Sequence, residues 1–363
     1  MQIGFFSEMP YKPLNPSLTW PVPSKNYDPE IGGDLYRQTL EQFVRADELG
    51  YEVLAINEQH FKPSNVTPAP NLFFANLATR TVRAKLLPYG ALLPLHNPIR
   101  IAEEYAMLDV LSKGRLMAGF VRGGPSNHLA YNIAPDDNRG RYEESWELIQ
   151  KAWTTHEPFS WNGKYFQYEV VNVWPRTFQK PHPPIWSSGL TDRSIEWAAM
   201  KKAGYTRWLT VTATSKALLS TYRQYYRKYH SIDPPPEMIG LARAVYVSEG
   251  NPREECLPHY LHFSSSVETQ TESPYKRIPN GREYYMTGKI FGAANFDHEQ
   301  AKKGGLHICG KPEEVAREIL LQQKELGFGL FLANLNYGDM PQEMALKSME
   351  TFAEKVAPAI KDA

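Results

Sequence analysis

Short apolar runs of strand character alternate with amphipathic helical runs along the whole chain, and this alternation restricts the fold more than any other property. The strand runs are Gln2–Ser7, Val53–Ile56, Lys85–Leu93, Leu116–Val121, Pro184–Ser188, Arg207–Val211, Leu241–Val247 and Leu330–Asn334. Helical spacing covers Leu35–Leu49, Asn71–Thr79, Pro98–Leu111, Arg141–Trp153, Thr191–Lys202, Ser215–Tyr229, Pro312–Glu325 and Pro341–Ala357. Alternation of this kind gives a parallel sheet with helical crossovers. Eight such units in 363 residues favour a closed (β/α)8 TIM barrel over an open sheet, with residues 1–363 as one domain. No Gly-x-Gly-x-x-Gly follows the first strand, which argues against a dinucleotide-binding domain. Three helices end alike, at Leu49-Gly50-Tyr51, Lys202-Ala203-Gly204-Tyr205 and Leu326-Gly327-Phe328, and each glycine is expected to stop its helix.

Two stretches leave this rhythm. The Pro-rich segment 8–33 is too long for a routine connection and is expected to be an active-site loop at the barrel mouth. Residues 263–305, after the seventh strand, lack periodicity and are expected to form a lid, or else a surface loop. A shorter insertion carrying Phe159, Trp161, Tyr165 and Phe166 is expected to be a surface hairpin.

Composition narrows the partners. With 40 basic and 40 acidic residues and no basic stripe, nucleic acid is not indicated. The two cysteines, Cys256 and Cys309, make no disulfide framework and show no metal-ligand spacing, so they read as incidental thiols of a reducing cytosol and no metal is expected. No apolar run approaches the roughly 20 residues of a membrane span, and Met1 to Phe6 reads as a strand rather than a signal peptide, which makes a cytoplasmic protein the expectation.

Polar residues cluster just past the strands, where the carboxyl ends of a barrel converge on one face. Asn57-Glu58-Gln59-His60-Phe61 follows the second strand and Pro94-Leu95-His96-Asn97-Pro98 the third. His60 could act in acid–base chemistry or only buttress Glu58; His96 and Asn97 could line a pocket or serve the turn between the two prolines. Arg122, followed by Gly123-Gly124, suits an anion at a barrel mouth or a surface salt bridge. In Ser187-Ser188-Gly189-Leu190-Thr191-Asp192-Arg193-Ser194, hydroxyls meet a helix N-terminus, which suits a phosphate or ordinary capping by Thr191. Phe6, Tyr284 and Tyr285 offer apolar surface for an organic substrate, or packing.

Together, Glu58-Gln59-His60-Phe61, Leu93-Pro94-Leu95-His96-Asn97-Pro98-Ile99-Arg100, Ser112-Lys113-Gly114-Arg115, Val121-Arg122-Gly123, Lys180-Pro181-His182-Pro183-Pro184-Ile185-Trp186, Ser194-Ile195-Glu196-Trp197-Ala198-Ala199 and Gly310-Lys311-Pro312-Glu313-Glu314 resemble the bacterial luciferase α-subunits and the wider luciferase-like flavin monooxygenases. The resemblance implies reduced FMN at the strand carboxyl ends, O2 as cosubstrate activated as a flavin C4a-(hydro)peroxide, a separate NAD(P)H:flavin reductase and a homodimer. It assigns the flavin phosphate to Arg122, Gly189, Leu190, Thr191 and Ser194, and a non-prolyl cis peptide under the ring to Tyr89-Gly90. The luciferase base corresponds to Gln59, which cannot titrate, so His60 would have to replace it. The reaction implied is insertion of one oxygen atom into a small, apolar or aromatic substrate. A deazaflavin-dependent oxidoreductase and a non-catalytic flavin-binding subunit are the alternatives.

Overall fold

The computed structural model describes residues 1–15, 18, 20–271 and 298–361. Its strands, in chain order, are β1 (Gln2–Ser7), β2 (Val53–Ile56), β3 (Lys85–Pro88), β4 (Ala91–Leu92), β5 (Ala118–Val121), β6 (Phe159–Asn162), β7 (Gln167–Val171), β8 (Ile185–Ser188), β9 (Gly204–Arg207), β10 (Ile239–Val247), β11 (His307–Gly310) and β12 (Leu330–Asn334). The main sheet runs β3-β2-β1-β12-β10-β9-β8-β5-β4, with every pairing parallel. β4 continues β3, and Leu86 bridges Leu116 just ahead of β5, so the two ends meet and the sheet closes as the expected TIM barrel. Helices α1 (Pro29–Glu48), α2 (Pro70–Arg80), α3 (Pro98–Leu111), α4 (Pro125–Ala130), α5 (Pro135–Thr154), α6 (Asp192–Met200), α7 (Thr212–His230), α8 (Pro252–Thr271), α9 (His298–Lys303), α10 (Pro312–Leu326) and α11 (Gln342–Thr351) connect the strands. β6 and β7 pair antiparallel as the expected hairpin.

Alternate strand residues face inward, where Phe6, Leu87, Tyr89, Trp186, Ala242 and Leu332 fill the cylinder. The opposite faces pack on the helices in the larger core. The third strand is broken, not continuous: between β3 and β4 lies the cis peptide Tyr89-Gly90, where the chain presses on β5. A Cβ on Gly90 would lie 2.5 Å from the Gly119 carbonyl carbon, and one on Gly119 only 2.0 Å from the Pro88 oxygen. Both positions therefore exclude any side chain.

Several boundaries differ from expectation. Gly50 (φ +87°) and Gly327 (φ +65°) end their helices in the left-handed conformation, but the second repeat does not. There Lys202 (φ +53°) takes that role, and Gly204 opens β9 because a Cβ would strike the Trp186 ring at 2.4 Å. β9 is accordingly Gly204–Arg207 rather than Arg207–Val211. The loop expected over 8–33 ends sooner, since Asp28 Oδ1 accepts from the Glu30 amide at 2.8 Å and starts α1. Of the stretch 263–305, residues up to 271 complete α8 and 298–303 form α9; Tyr284 and Tyr285 lie outside the described residues. β11 pairs with β10 beside the barrel path. Among the described residues no helix is long and apolar enough to cross a membrane.

Candidate active site

Six strand ends supply the polar groups of one barrel face. Past β2, the Gln59 amide donates to the Thr67 carbonyl (3.3 Å) and the His60 amide to Asn127 Oδ1 (3.3 Å), fixing the turn against α4. This aims Glu58 inward, 3% exposed. Its Oε1 accepts from His60 Nε2 and His96 Nε2, both at 2.7 Å, and its Oε2 from the Leu92 amide at 3.2 Å. Burial pushes the Glu58 carboxyl up, but the bonds from His60 and His96 and their charge outweigh it and hold the group below the usual carboxylate range. Burial likewise pulls His96 down, and the bond to Glu58 overcomes this, leaving the imidazole above its ordinary value. His60 Nδ1 accepts from the Tyr131 hydroxyl at 3.2 Å. Tyr131 is 43% exposed, so a hydrogen-bonded chain Tyr131–His60–Glu58–His96 connects the surface to the mouth. Donor atoms of Glu58, His60 and His96 lie within 4.8 Å of one another, but both Nε2 atoms are already committed to one carboxylate oxygen. Gln59 accepts from Asn127 Nδ2 at 3.4 Å.

A cationic pocket lies past β5 and β8. Arg122 Nη1 donates to Asn138 Oδ1 (2.9 Å); Asn138 Nδ2 donates to His128 Nδ1 (3.1 Å), and His128 Nε2 to the Arg122 carbonyl (2.8 Å). Arg139, from the start of α5, donates through Nη2 to Thr191 Oγ1 (3.1 Å) and Ser194 Oγ (3.2 Å), and these hydroxyls are 2.8 Å apart. Thr191 stands at the N-cap of α6 yet makes no side-chain bond to a backbone amide there. Gly189 permits the tight turn, since a Cβ would lie 2.5 Å from Ser194 Cβ. Leu190, half-buried, follows it. Arg207 donates to Ser188 Oγ (3.1 Å) and the Gly189 carbonyl (3.0 Å). The Nε atoms of Arg122 and Arg207 are buried without a partner among the described residues. Arg122 with an unused Nε donor, and Arg139 beside two hydroxyls and paired with Glu143 at 3.4 Å, fit a bound anion such as a phosphate monoester.

The pocket floor is aromatic. Phe6 meets Trp208 at 5.2 Å and Tyr89 at 6.4 Å, both edge-on. Thr206 Oγ1 donates to the Tyr89 hydroxyl. Trp208 Nε1 donates to Glu8 Oε1 at 3.1 Å, and burial pushes the Glu8 carboxyl up to about 7 against bonds from Trp208 and Asn57 and the nearby Lys62 charge. Asn97 faces outward instead and caps α3, accepting from the Ile99 (2.9 Å) and Arg100 (3.3 Å) amides.

Sequence reasoning missed Arg139, Arg207, Tyr131 and Glu8. Glu8 did carry a signal, for it immediately follows the first strand. Arg207 ends β9, whereas the sequence pattern starts a strand there, and Arg139 lies in the first turns of α5 behind Pro135-Asp136-Asp137-Asn138.

Known proteins share this fold. The chain matches the family of luciferase-like monooxygenases over residues 18–328. It is 24% identical over 349 residues to the oxygenase component of the flavin-dependent trigonelline monooxygenase of Acinetobacter baylyi, covering 92% of each chain. Among solved structures, the monooxygenase RslO1 of Streptomyces bottropensis superposes with a TM-score of 0.80 at 25% identity over 99% of both chains. The oxygenating constituent of the Pseudomonas putida 3,6-diketocamphane monooxygenase, a Baeyer–Villiger enzyme in complex with FMN, gives 0.73 at 18% identity, covering 99% of this chain and 98% of that one. The barrel, the polar face at its strand ends and the match over most of its length make this chain a member of the luciferase-like flavin-dependent monooxygenase family.

Proposed function

We propose that the chain is the oxygenase component of a two-component monooxygenase that takes FMNH2 from a separate NAD(P)H:flavin reductase, works as a homodimer, and inserts one atom of O2 into a small apolar or aromatic compound. The carrying observation is the Arg122–Arg139–Thr191–Ser194 cluster with the unused Nε donor of Arg122, set on the same barrel face as the Glu58–His60–His96 cluster. Arg122, Arg139, Thr191 and Ser194 would hold the phosphate, with Gly189 and Leu190 shaping the turn. Tyr89-Gly90, against β5, would support the ring. Reduced flavin, when bound, supplies the electrons that activate O2.

The residues then divide the remaining work. Glu58, kept ionised, holds both imidazoles in the tautomer with hydrogen on Nε2. His96 stays protonated to higher pH than a free histidine and is placed to donate a proton to a developing oxyanion. His60, itself held at Nδ1 by the Tyr131 hydroxyl, fixes the carboxylate that orients His96. Gln59, held by Asn127, orients without titrating. Phe6, Trp208 and Tyr89 keep water from the floor and favour an apolar substrate. Asn97 contributes by capping α3 behind His96.

The test is oxygen uptake by the purified chain with FMN, NADH and a generic flavin reductase, screened against aromatic and alicyclic compounds. Uptake that yields substrate bearing one atom from 18O2 is expected. Hydride exchange with a reduced deazaflavin and no oxygen uptake would overturn the proposal, as would a lack of affinity for FMN in both redox states.

A further inference from the structure

A second constellation lies outside the barrel cylinder, where α8, α9 and β11 meet. We propose that Cys256, His298 and His307, with Cys309 as the fourth donor, bind a thiophilic divalent cation, and that Zn2+ is the ion their chemistry suits. One ligand atom from each of Cys256, His298 and His307 lies within 4.8 Å of the other two, and all three residues are buried. Cys309 Sγ stands 3.1 Å from Cys256 Sγ, well beyond a disulfide bond of about 2.05 Å. Two thiolates on one tetrahedral zinc with Zn–S of about 2.3 Å would stand about 3.8 Å apart; Cys309 Sγ lies outside the mutually close set of the other three ligand atoms and completes the shell by turning its side chain toward the ion.

The histidines carry the argument. Each has one ring nitrogen engaged and the other bare. His307 Nε2 is bonded to the Tyr337 hydroxyl at 2.8 Å, and His307 Nδ1 is buried without a partner among the described residues. His298 Nδ1 faces the Glu299 carboxylate at 3.6 Å, and His298 Nε2 is likewise buried and unpartnered. A metal-bound imidazole has this arrangement: an outer oxygen fixes the tautomer and the inner nitrogen meets the ion. Left empty, two bare buried nitrogens would forgo the hydrogen bonds that water gives them in the unfolded chain. Tyr260 stacks on His307 at 4.2 Å and meets His298 edge-on at 5.5 Å, so both rings are held in place. A cleft of about 480 Å3 lined in part by His307, Cys309, Lys302 and Glu314 gives the ion a route in.

Cys256 lies far along the chain from His298, His307 and Cys309, and the ligands come from three elements, which is why spacing alone concealed them. Four protein donors make a closed, structural site rather than a catalytic one. Its role is to clasp α8, α9 and β11 together. Phe263 of α8 meets Trp208 at 6.2 Å, so the clasp also braces one wall of the barrel mouth.

The experiment uses tag-free full-length protein from zinc-supplemented growth, dialysed and submitted to elemental analysis. One zinc per chain is expected, with both thiols slow toward a disulfide reagent until a chelator is added. Metal-stripped protein titrated with Co2+ should develop thiolate-to-cobalt charge-transfer absorption. Cys256→Ser and His307→Ala should each drop zinc to background, while His182→Gln, on a histidine away from the cluster, should retain it. Should either variant fail to fold by circular dichroism, the wild-type cobalt spectrum decides, and the absence of the charge-transfer band overturns the proposal. Metal-free protein with two reactive thiols, or with a Cys256–Cys309 disulfide by mass spectrometry, overturns it equally. None of these readouts depends on flavin or turnover.

Discussion

Glu58 places two imidazoles on a single oxygen, and this arrangement is stable only while the carboxyl is ionised. His96 gains its stabilising charge from that partner. Its contribution to folding is fully present below the unfolded-state value near 6.5 and is lost as pH rises through the higher folded value. Glu58→Gln should remove this pH-dependent component and cost about 2–3 kcal/mol by leaving buried groups unpaired. Urea unfolding of both proteins across pH 5.5–9 checks it; parallel curves would show that His96 draws nothing from Glu58. On the opposite side of the face, Arg139 gives two bonds to hydroxyls and pairs with Glu143 at 3.4 Å. Arg139→Ala should weaken FMN about 10- to 100-fold, the value of charge-assisted hydrogen bonds to a phosphate. Fluorescence titration measures this, and an unchanged Kd would remove Arg139 from the phosphate pocket.

Among the elements, the junction of β3, β4 and β5 is the most constrained, because backbone meets backbone there. A methyl at Gly119 would stand 2.0 Å from the Pro88 carbonyl oxygen, and no rotamer can relieve a Cβ. Gly119→Ala should cost at least about 3 kcal/mol or prevent folding, whereas Gly124→Ala, with nothing within 4 Å, should stay within about 0.5 kcal/mol of wild type. Thermal melts of the pair check this; equal stability would show that the strands separate freely. This junction also marks where pattern reading stops. The apolar run Lys85–Leu93 reads as one strand because periodicity does not register a backbone break. Gly50 and Gly327 were legible as helix stops since a left-handed residue is usually glycine, but at α6 Lys202 accepted that conformation and freed Gly204 to admit the Trp186 ring. Helix α8 escaped notice for another reason: Pro258, a residue that usually ends a helix, lies inside it, and its inward residues Cys256, Tyr260 and Phe263 pack in a smaller side cluster.

At the scale of the molecule, the barrel was legible because eight alternations leave few other closures, and Glu58, His96 and Arg122 were legible because each follows a strand with clear boundaries. What spacing could not reveal was which distant side chains share a cavity. Glu8 shows this best. It follows β1, and Trp208 from beyond β9 and Asn57 from beyond β2 enclose it, with Lys62 nearby. Burial lifts its carboxyl to about 7 from an ordinary 4.5, the largest cause being lost hydration. A raised acid binds its proton more tightly in the folded state. The advantage is therefore complete below about pH 4.5, shrinks as the unfolded chain ionises, and is gone above about pH 7. Glu8→Gln keeps the shape and removes the titration. The stability difference, wild type minus variant, should fall between pH 4.5 and 7 by at most about 3 kcal/mol and stay level above that interval. Guanidinium unfolding at half-unit pH steps follows it directly. A constant difference would show that Glu8 ionises as it would in water, and that the barrel mouth is wetter than the ring contacts around Trp208 imply.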